Sequence, residues 1–422
     1  MPMNASRRYS AFSLARHALS HEPWPRAWRA AEPKSSYDVV IVGGGGHGLA
    51  TAHYLAADHG IRNIAVLERA YVGSGNVGRN TTIVRSNYVI DGNTQFFEHS
   101  LKLWEGLSEA LNFNVMLSQR GQIVLGHSPL QLDVLARKGN IMRLNGIDAE
   151  LLDRTEVMRL LPYLDYSGEA RFPIWGGLLQ RRAGTARHDA VAWGYARSAD
   201  AQGADIIEQC EVQGFLIRDG RVYGVETNRG RILAGQIGIA VAGHSSHVAA
   251  MAGLRLPIES HLLQAFVSEP IKPFVDHVIS YGAEFFYISQ SDKGGLIFGG
   301  HIDGFNNYTQ RGQFPKVQSV AESAVALIPS VSRLRLLRHW AGIQDMTPDG
   351  SPFICRTPIR NLYLNGGWCY QGFKATPASG WCFAHTIAND VEHALNRCYS
   401  LDRFAQGAEL DEDGVGNWTY KQ

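Results

Sequence analysis

The 422-residue chain is 45% hydrophobic and 19% charged, an ordinary globular composition with apolar residues enough for more than one core, so two domains are expected. Its 40 Lys and Arg against 39 Asp and Glu leave a formal charge of +1, which excludes the broad basic field that draws nucleic acid or an anionic membrane. The cysteines, at 210, 355, 369, 382 and 398, are odd in number, without C-x-x-C spacing and without paired histidines at metal-ligand spacing; this argues against a disulfide framework or a metal site and for a reducing compartment.

The basic start at Arg7 and Arg8 precedes an apolar stretch, Ala11 to Ala15, that Ser13 interrupts, so it lacks a signal-peptide core. No apolar run approaches the roughly 20 residues of a bilayer span, and the expectation is a cytoplasmic protein. Residues 1–35 mix Tyr9, Phe12, Trp24, Trp28, Arg26 and Arg29 with Pro23, Pro25 and Pro33, poor material for a lone core; they are read as an arm lying on another surface. From Tyr37 the texture changes. Val39-Val40-Ile41-Val42 is a β-branched run, expected of a strand buried on both faces of a parallel sheet. Gly43-Gly44-Gly45-Gly46-His47-Gly48 follows, then a helical run Leu49–Asp58, a turn at Gly60, and a second strand Asn63–Leu67 ending at Glu68. Helical periodicity returns in 99–112, 131–144 and 189–202. Arg221–Thr227, Ile237–Val241, Phe285–Ser289, Gly295–Gly299 and Asn361–Asn365 read as strands, giving an α/β chain with an antiparallel component. The acidic tail from Gly407 is read as peripheral.

Residues 43–48 match G-x-G-x-x-G in the strand–turn–helix setting that gives the motif its meaning. Gly43 permits the tight turn, Gly45 lets backbone approach a pyrophosphate, Gly48 allows close helix packing, and the helix start supplies positive potential for phosphates. Glu68, 20 residues past Gly48, stands where a carboxylate accepts hydrogen bonds from a ribose diol. The motif does not separate FAD from NAD. A second glycine-rich passage from strand to helix does point to FAD, because amine-oxidising flavoenzymes return to the cofactor near the C-terminus: Gly366-Gly367-Trp368, then Gly372-Phe373-Lys374-Ala375-Thr376-Pro377.

Over nearly its whole length the chain resembles the β subunit of heterotetrameric sarcosine oxidase and the closely similar N-methylglutamate dehydrogenase subunit. The resemblance rests on Tyr9-Ser10-Ala11-Phe12-Ser13 and Trp24, the turn at 43–48, Gly78 to Tyr88 (GRNTTIVRSNY), Gly184 to Trp193 (GTARHDAVAW), Ser289 to Gly294 (SQSDKG) and Gly372 to Pro377 (GFKATP). It implies a Rossmann-type FAD-binding domain with a second, mixed antiparallel-sheet substrate domain, a glutathione reductase-like, D-amino-acid oxidase-like α/β fold. The division expected is an arm for subunit contacts at 1–35, a discontinuous FAD-binding domain at 36–110, 181–255 and 331–395, a substrate domain at 111–180 and 256–330, and a C-terminal tail at 396–422. The cofactor set expected is Gly43, Gly45, Gly46, His47, Gly48, Glu68, Arg69, Asn76, Arg79, Asn80, Thr81, Gly243, Gly367, Gly372, Phe373 and Lys374.

The resemblance further implies noncovalent FAD, FMN joined covalently to His188, partner subunits of α, γ and δ type, and oxidation of an N-methyl amino acid. Arg85 and Lys374 match the cations that hold the substrate carboxylate in related amine oxidases; Arg bonds both oxygens and Lys adds a point charge. As residues alone, Arg85 also reads as a snorkelling arginine, Lys374 as an exposed helix lysine, and His188 as a structural or solvated histidine before Asp189, a candidate helix N-cap. Monomeric relatives attach FAD to a cysteine in the segment that here runs Gly342 to Asp349 without one, so FAD should be removable by denaturation; Cys355 and Cys369 read as small core residues. His301 stands at the place of an active-site histidine of monomeric sarcosine oxidase, with a turn role equally open, and Gln371 replaces a common glycine; both put substrate identity in question. Reduced FAD would pass electrons to FMN and then to oxygen or another acceptor, and the carbon would leave as formaldehyde or reach tetrahydrofolate in a partner subunit. The alternatives are an N-methylglutamate dehydrogenase subunit and an FAD-binding scaffold without turnover.

Overall fold

The structure is a computed structural model that describes residues 10–20, 26–281 and 285–412. Tyr9, Pro23, Trp24 and Pro25 of the arm lie outside the described residues.

The run at 39–42 forms the centre of the strand Ser36–Val42, and all four of its residues are buried. A strand alternates its side chains, so the run serves two cores: Val39 and Ile41 join one apolar cluster, Val40 and Val42 the other. Parallel partners on either side, Gly230–Ile239 and Ile64–Leu67, extend to Leu362–Gly366 and Asp205–Ile207. Phe353–Arg356 closes one edge antiparallel, and Val212–Arg218 and Arg221–Thr227 pair beyond Gly230–Ile239. Helices Gly46–His59, Asn93–Ala110, His188–Ala201 and Gly372–Asn389 bury their faces in the first of these cores. This layered parallel sheet is the dinucleotide-binding half of the fold.

The second sheet has eight strands, ordered Leu336–Met346, Glu259–Pro270, Gly295–Ile302, Phe286–Gln290, Val278–Tyr281, Gln122–Gly126, Gly176–Gln180 and Glu150–Asp153. All neighbours are antiparallel except Val278–Tyr281 with Gln122–Gly126, so the sheet is mixed. Helices Arg154–Leu160 and Phe314–Leu327 lie against its own apolar core.

Three segments differ from the sequence reading. Leu336–Met346, grouped by sequence with the FAD-binding segments, hydrogen-bonds along Glu259–Pro270 in the second sheet. The C-terminal segment is integral through residue 412: Arg403 is 1% exposed and bonds both Asp349 carboxylate oxygens, at 2.7 and 2.8 Å, and Glu412 accepts the Val89 and Ile90 amides. Asp189 lies in the first turn of His188–Ala201 rather than capping it; Arg187 holds the cap position.

Within the arm, helix Ala11–Leu19 is capped by Ser10 and buries none of its residues, whereas Trp28 packs on the first core and Arg29 pairs with Asp200 at 2.8 Å. Among the described residues no helix is long and apolar enough to cross a membrane, and no group of His, Cys, Asp and Glu is arranged to hold a metal.

Candidate active site

Both glycine turns open onto one cavity of about 1020 Å³ between the carboxyl ends of the first sheet's strands and the face of the second sheet. Open parallel sheets bind ligands at such strand ends. At the first turn Gly43 has φ +116°, and a Cβ there would lie 2.3 Å from the Ala240 carbonyl oxygen; a Cβ on Gly48 would lie 2.1 Å from the Gly43 oxygen. Gly45 has no atom within 4 Å of its Cβ position, and it lines the cavity. The turn is therefore closed toward the protein and open toward the start of helix Gly46–His59, the cradle that a pyrophosphate requires.

Glu68 accepts from the Gly44 amide at 2.9 Å, the Ala70 amide at 2.9 Å and the Ser74 hydroxyl at 3.2 Å. It ties the turn to the end of the second strand and keeps about one of its four lone-pair sites for a ribose hydroxyl. Arg69 reaches His244 Nε2 at 3.0 Å; burial, then the Arg69 charge, hold His244 down at about 4. Asn76 clasps the Ile343 peptide, donating to its oxygen at 2.5 Å and accepting from its nitrogen at 3.0 Å. Arg79 donates to the Ser74 carbonyl and to Gln310 at 2.7 Å, and its own carbonyl accepts from Trp340 Nε1 at 2.8 Å. Asn80 accepts from the Thr82 amide at 2.5 Å, and Thr81 hydrogen-bonds Tyr287.

The structure brings Gly43, Gly45, Gly46, His47, Glu68, Arg69, Asn76, Arg79, Asn80, Thr81, Arg85, Gly243, His301, Gly372, Phe373 and Lys374 to one cavity wall. Gly48 and Gly367 stay out of the lining. Gly367, with φ +75°, has its Cβ position 2.6 Å from Thr347 Cγ2 and donates its amide to Asp345 at 2.6 Å, so it shapes the second turn.

Arg85 lies over the Tyr88 ring, 4.8 Å from its centroid, and donates to Asn87 Oδ1. Lys374 is 6% exposed and donates to the Tyr370 carbonyl at 2.7 Å. Burial, reinforced by the Arg85 charge, holds the Lys374 amine well below the usual lysine range. Among the described residues neither cation has a carboxylate partner. Two like charges sharing a cavity without a counter-ion are costly unless an anion joins them.

His301, the last but one residue of strand Gly295–Ile302, has φ +53° and Nε2 3.3 Å from Ser319 Oγ. Gln371 does not line the cavity. Its side chain, at the position that put substrate identity in question, donates to the Gly350 carbonyl at 2.9 Å. Sequence reasoning passed over Trp368, Tyr287, Gln310, Lys316, Ile343 and Asp345, which also line the cavity. Of these Trp368 stood in the second glycine-rich passage, and Ile343 and Asp345 in the segment that the resemblance singled out at 342–349. Asp345 is 1% exposed, and burial pushes its carboxyl up to about 6. Cys369 reaches the cavity wall, but burial pushes its thiol up to about 12 and it accepts from the Thr347 amide at 3.3 Å, which leaves it inert.

Residues 38–386 match the family described as DAO, FAD dependent oxidoreductase. The chain is 61% identical over 410 residues to sarcosine oxidase subunit beta of Rhizobium meliloti, covering 97% of this chain and 98% of that one. The chain belongs to the sarcosine oxidase β-subunit family of FAD-dependent oxidoreductases. The same subunit of Rhodobacter capsulatus is 48% identical over 407 residues, 96% of this chain and 98% of that one. Among solved structures, an L-proline dehydrogenase from P. horikoshii superposes with TM-score 0.83 at 28% identity, covering 89% of this chain and 99% of that one. Membership gives this flavoprotein its cofactor, and the open cradle at Gly45 and a cavity lined by both Glu68 and Lys374 fit FAD.

His188, the first residue of its helix, lies outside the cavity lining. Its ring is mostly buried, its Nδ1 is without a partner among the described residues, and burial lowers its pKa.

Proposed function

We propose that this chain oxidises the N-methyl group of an N-methyl amino acid, sarcosine foremost, as the β-type subunit of a hetero-oligomer with α, γ and δ partners. The observation that carries the reading is the pair of unneutralised cations, Arg85 and Lys374, in the FAD cavity. They would hold the substrate carboxylate, Arg85 through two parallel hydrogen bonds and Lys374 through a third. With the acid end fixed, the N-methyl carbon is carried toward the flavin as a near-attack arrangement.

FAD, when bound, takes the two electrons and the hydrogen of one C–H bond. The amine must bind neutral, and the residues that line the cavity orient it and exclude water. The substrate is left as an N-methylene iminium, which adds water and splits to formaldehyde and the primary amino acid, or passes its carbon to tetrahydrofolate in a partner subunit. His188 would carry FMN through Nε2 at the edge of the subunit, and electrons would leave by that group to oxygen, giving hydrogen peroxide, or to another acceptor. His301, in the cavity wall, would act on substrate fit.

Turnover of the assembled complex with sarcosine and with N-methylglutamate, each with and without oxygen, tests the reading. Preference for sarcosine with peroxide formation supports it. Preference for the longer acid without peroxide favours a dehydrogenase of the N-methylglutamate type, and a flavin that no N-methyl amino acid reduces leaves only an FAD-binding scaffold.

A further inference from the structure

The half-buried His47 and three buried side chains close a circuit between the two glycine turns. His47, the second residue of helix Gly46–His59, has Nδ1 2.7 Å from Ser379 Oγ. Ser379 Oγ accepts from Asn365 Nδ2 at 2.8 Å, and Asn365 Oδ1 accepts from Trp368 Nε1 at 2.8 Å. The circuit returns through space: the Trp368 ring stacks on His47 with centroids 4.6 Å apart and planes 11° from parallel. His47, Trp368 and the neighbouring Gly372, Phe373 and Lys374 all line the cavity.

With the Nε2 hydrogen directed to the Gly372 carbonyl, the neutral imidazole is left with Nδ1 as its acceptor, which takes the Ser379 hydrogen, while a lone pair of Ser379 Oγ accepts from Asn365. Burial supports this neutral tautomer, lowering the His47 pKa to about 3. Each member is thus placed by two others, and a ring of satisfied buried polar groups holds its elements in one geometry. The elements so held are the phosphate-facing helix and the helix start that bears Lys374.

We propose that His47 is a positioning residue: through Ser379, Asn365 and Trp368 it locks the first glycine turn to the start of helix Gly372–Asn389, and so sets where FAD lies relative to Lys374. The inference rests on the FAD site proposed above and adds a residue that acts through others.

The test uses the assembled complex, stripped of its removable FAD and titrated with FAD again. His47→Phe keeps the stacking on Trp368 and removes both hydrogen bonds; Ser379→Ala keeps the imidazole and removes its Nδ1 partner; His47→Gln restores one donor and one acceptor. His47→Phe should weaken FAD binding roughly tenfold or more and move the flavin's visible absorption maximum. It should also slow anaerobic flavin reduction at saturating amine more than it weakens amine binding. Ser379→Ala should shift the same readings in the same direction, and His47→Gln should recover most of them. Should His47→Phe fail to assemble, the other two variants decide by the same readings. Wild-type FAD affinity and spectrum in the variants, with only a lowered melting temperature, would overturn the proposal. Because affinity and spectrum are read without amine, they still decide this inference if no amine reduces the wild-type flavin, a result that would refute the proposed function alone.

Discussion

Lys374 Nζ donates one helical turn back, to the carbonyl oxygen of Tyr370 at 2.7 Å, instead of to a carboxylate. In a site only 6% exposed that choice leaves the ammonium without a counter-ion, and burial holds its pKa well below the usual lysine range. A substrate carboxylate would supply the missing charge, and its arrival would raise the Lys374 pKa.

The first prediction follows from the sign of that shift. The pKa of Lys374 is lowered in the free protein and raised by a bound anion, so binding of the anion is fully supported below the free value and weakens as pH rises through the bound value. A carboxylate inhibitor without an amine, such as methoxyacetate, should bind progressively more weakly at higher pH. Replacing Lys374 by Arg, which stays charged, should flatten the profile. Inhibitor dissociation constants across pH, read from flavin absorbance, check this.

Arg85 is expected to carry the geometric part of the recognition. Arg85→Lys keeps the charge but loses the paired hydrogen bonds, and Arg85→Met loses both. The second variant should reduce kcat/KM for sarcosine by roughly 10- to 100-fold or more, the worth of charge-assisted bonds, with the Lys variant between. Steady-state kinetics of the two complexes provide the comparison.

These cations were legible in the sequence only through resemblance, since periodicity says nothing about an arginine after a short strand. The first turn was legible directly, because Gly43 and Gly48 answer to backbone sterics that any sequence must obey. Strand Leu336–Met346 was not: its first four residues are exposed and its later ones mostly buried, so neither alternation nor an unbroken apolar run marks it, and its place is set by pairing with Glu259–Pro270. The tail from Gly407 looks peripheral because it is acidic; what ties it down is the burial of Leu410, Glu412 at the Val89 and Ile90 amides and, just before it, the fit of Arg403 between its neighbour Phe404 and two residues some 50 positions away, Asp349 and Phe353.

That fit gives a stability prediction. Arg403→Leu leaves the Asp349 carboxylate, itself 3% exposed, with backbone amides alone, and removing one partner of a buried pair costs about 3–5 kcal/mol. Denaturant unfolding of the complex should show a loss of that order, with FAD affinity falling only as far as the fold is lost.

The proposal that His188 carries FMN gives a further expected outcome. His188→Asn should abolish the flavin fluorescence that stays with the denatured chain on a gel, while FAD should still be released from the same preparation by denaturation. Peptide mapping of the wild-type chain should place the retained flavin on the peptide that holds His188.

The most direct measurement is anaerobic mixing of the wild-type complex with sarcosine while the oxidised flavin absorbance is followed. Prompt bleaching that saturates with sarcosine is expected, with a much slower or weaker response when Arg85 or Lys374 is replaced by Met. Bleaching in the variants at the wild-type rate and affinity would contradict the carboxylate role of the two cations, and absence of bleaching in the wild type would contradict the proposed reaction itself.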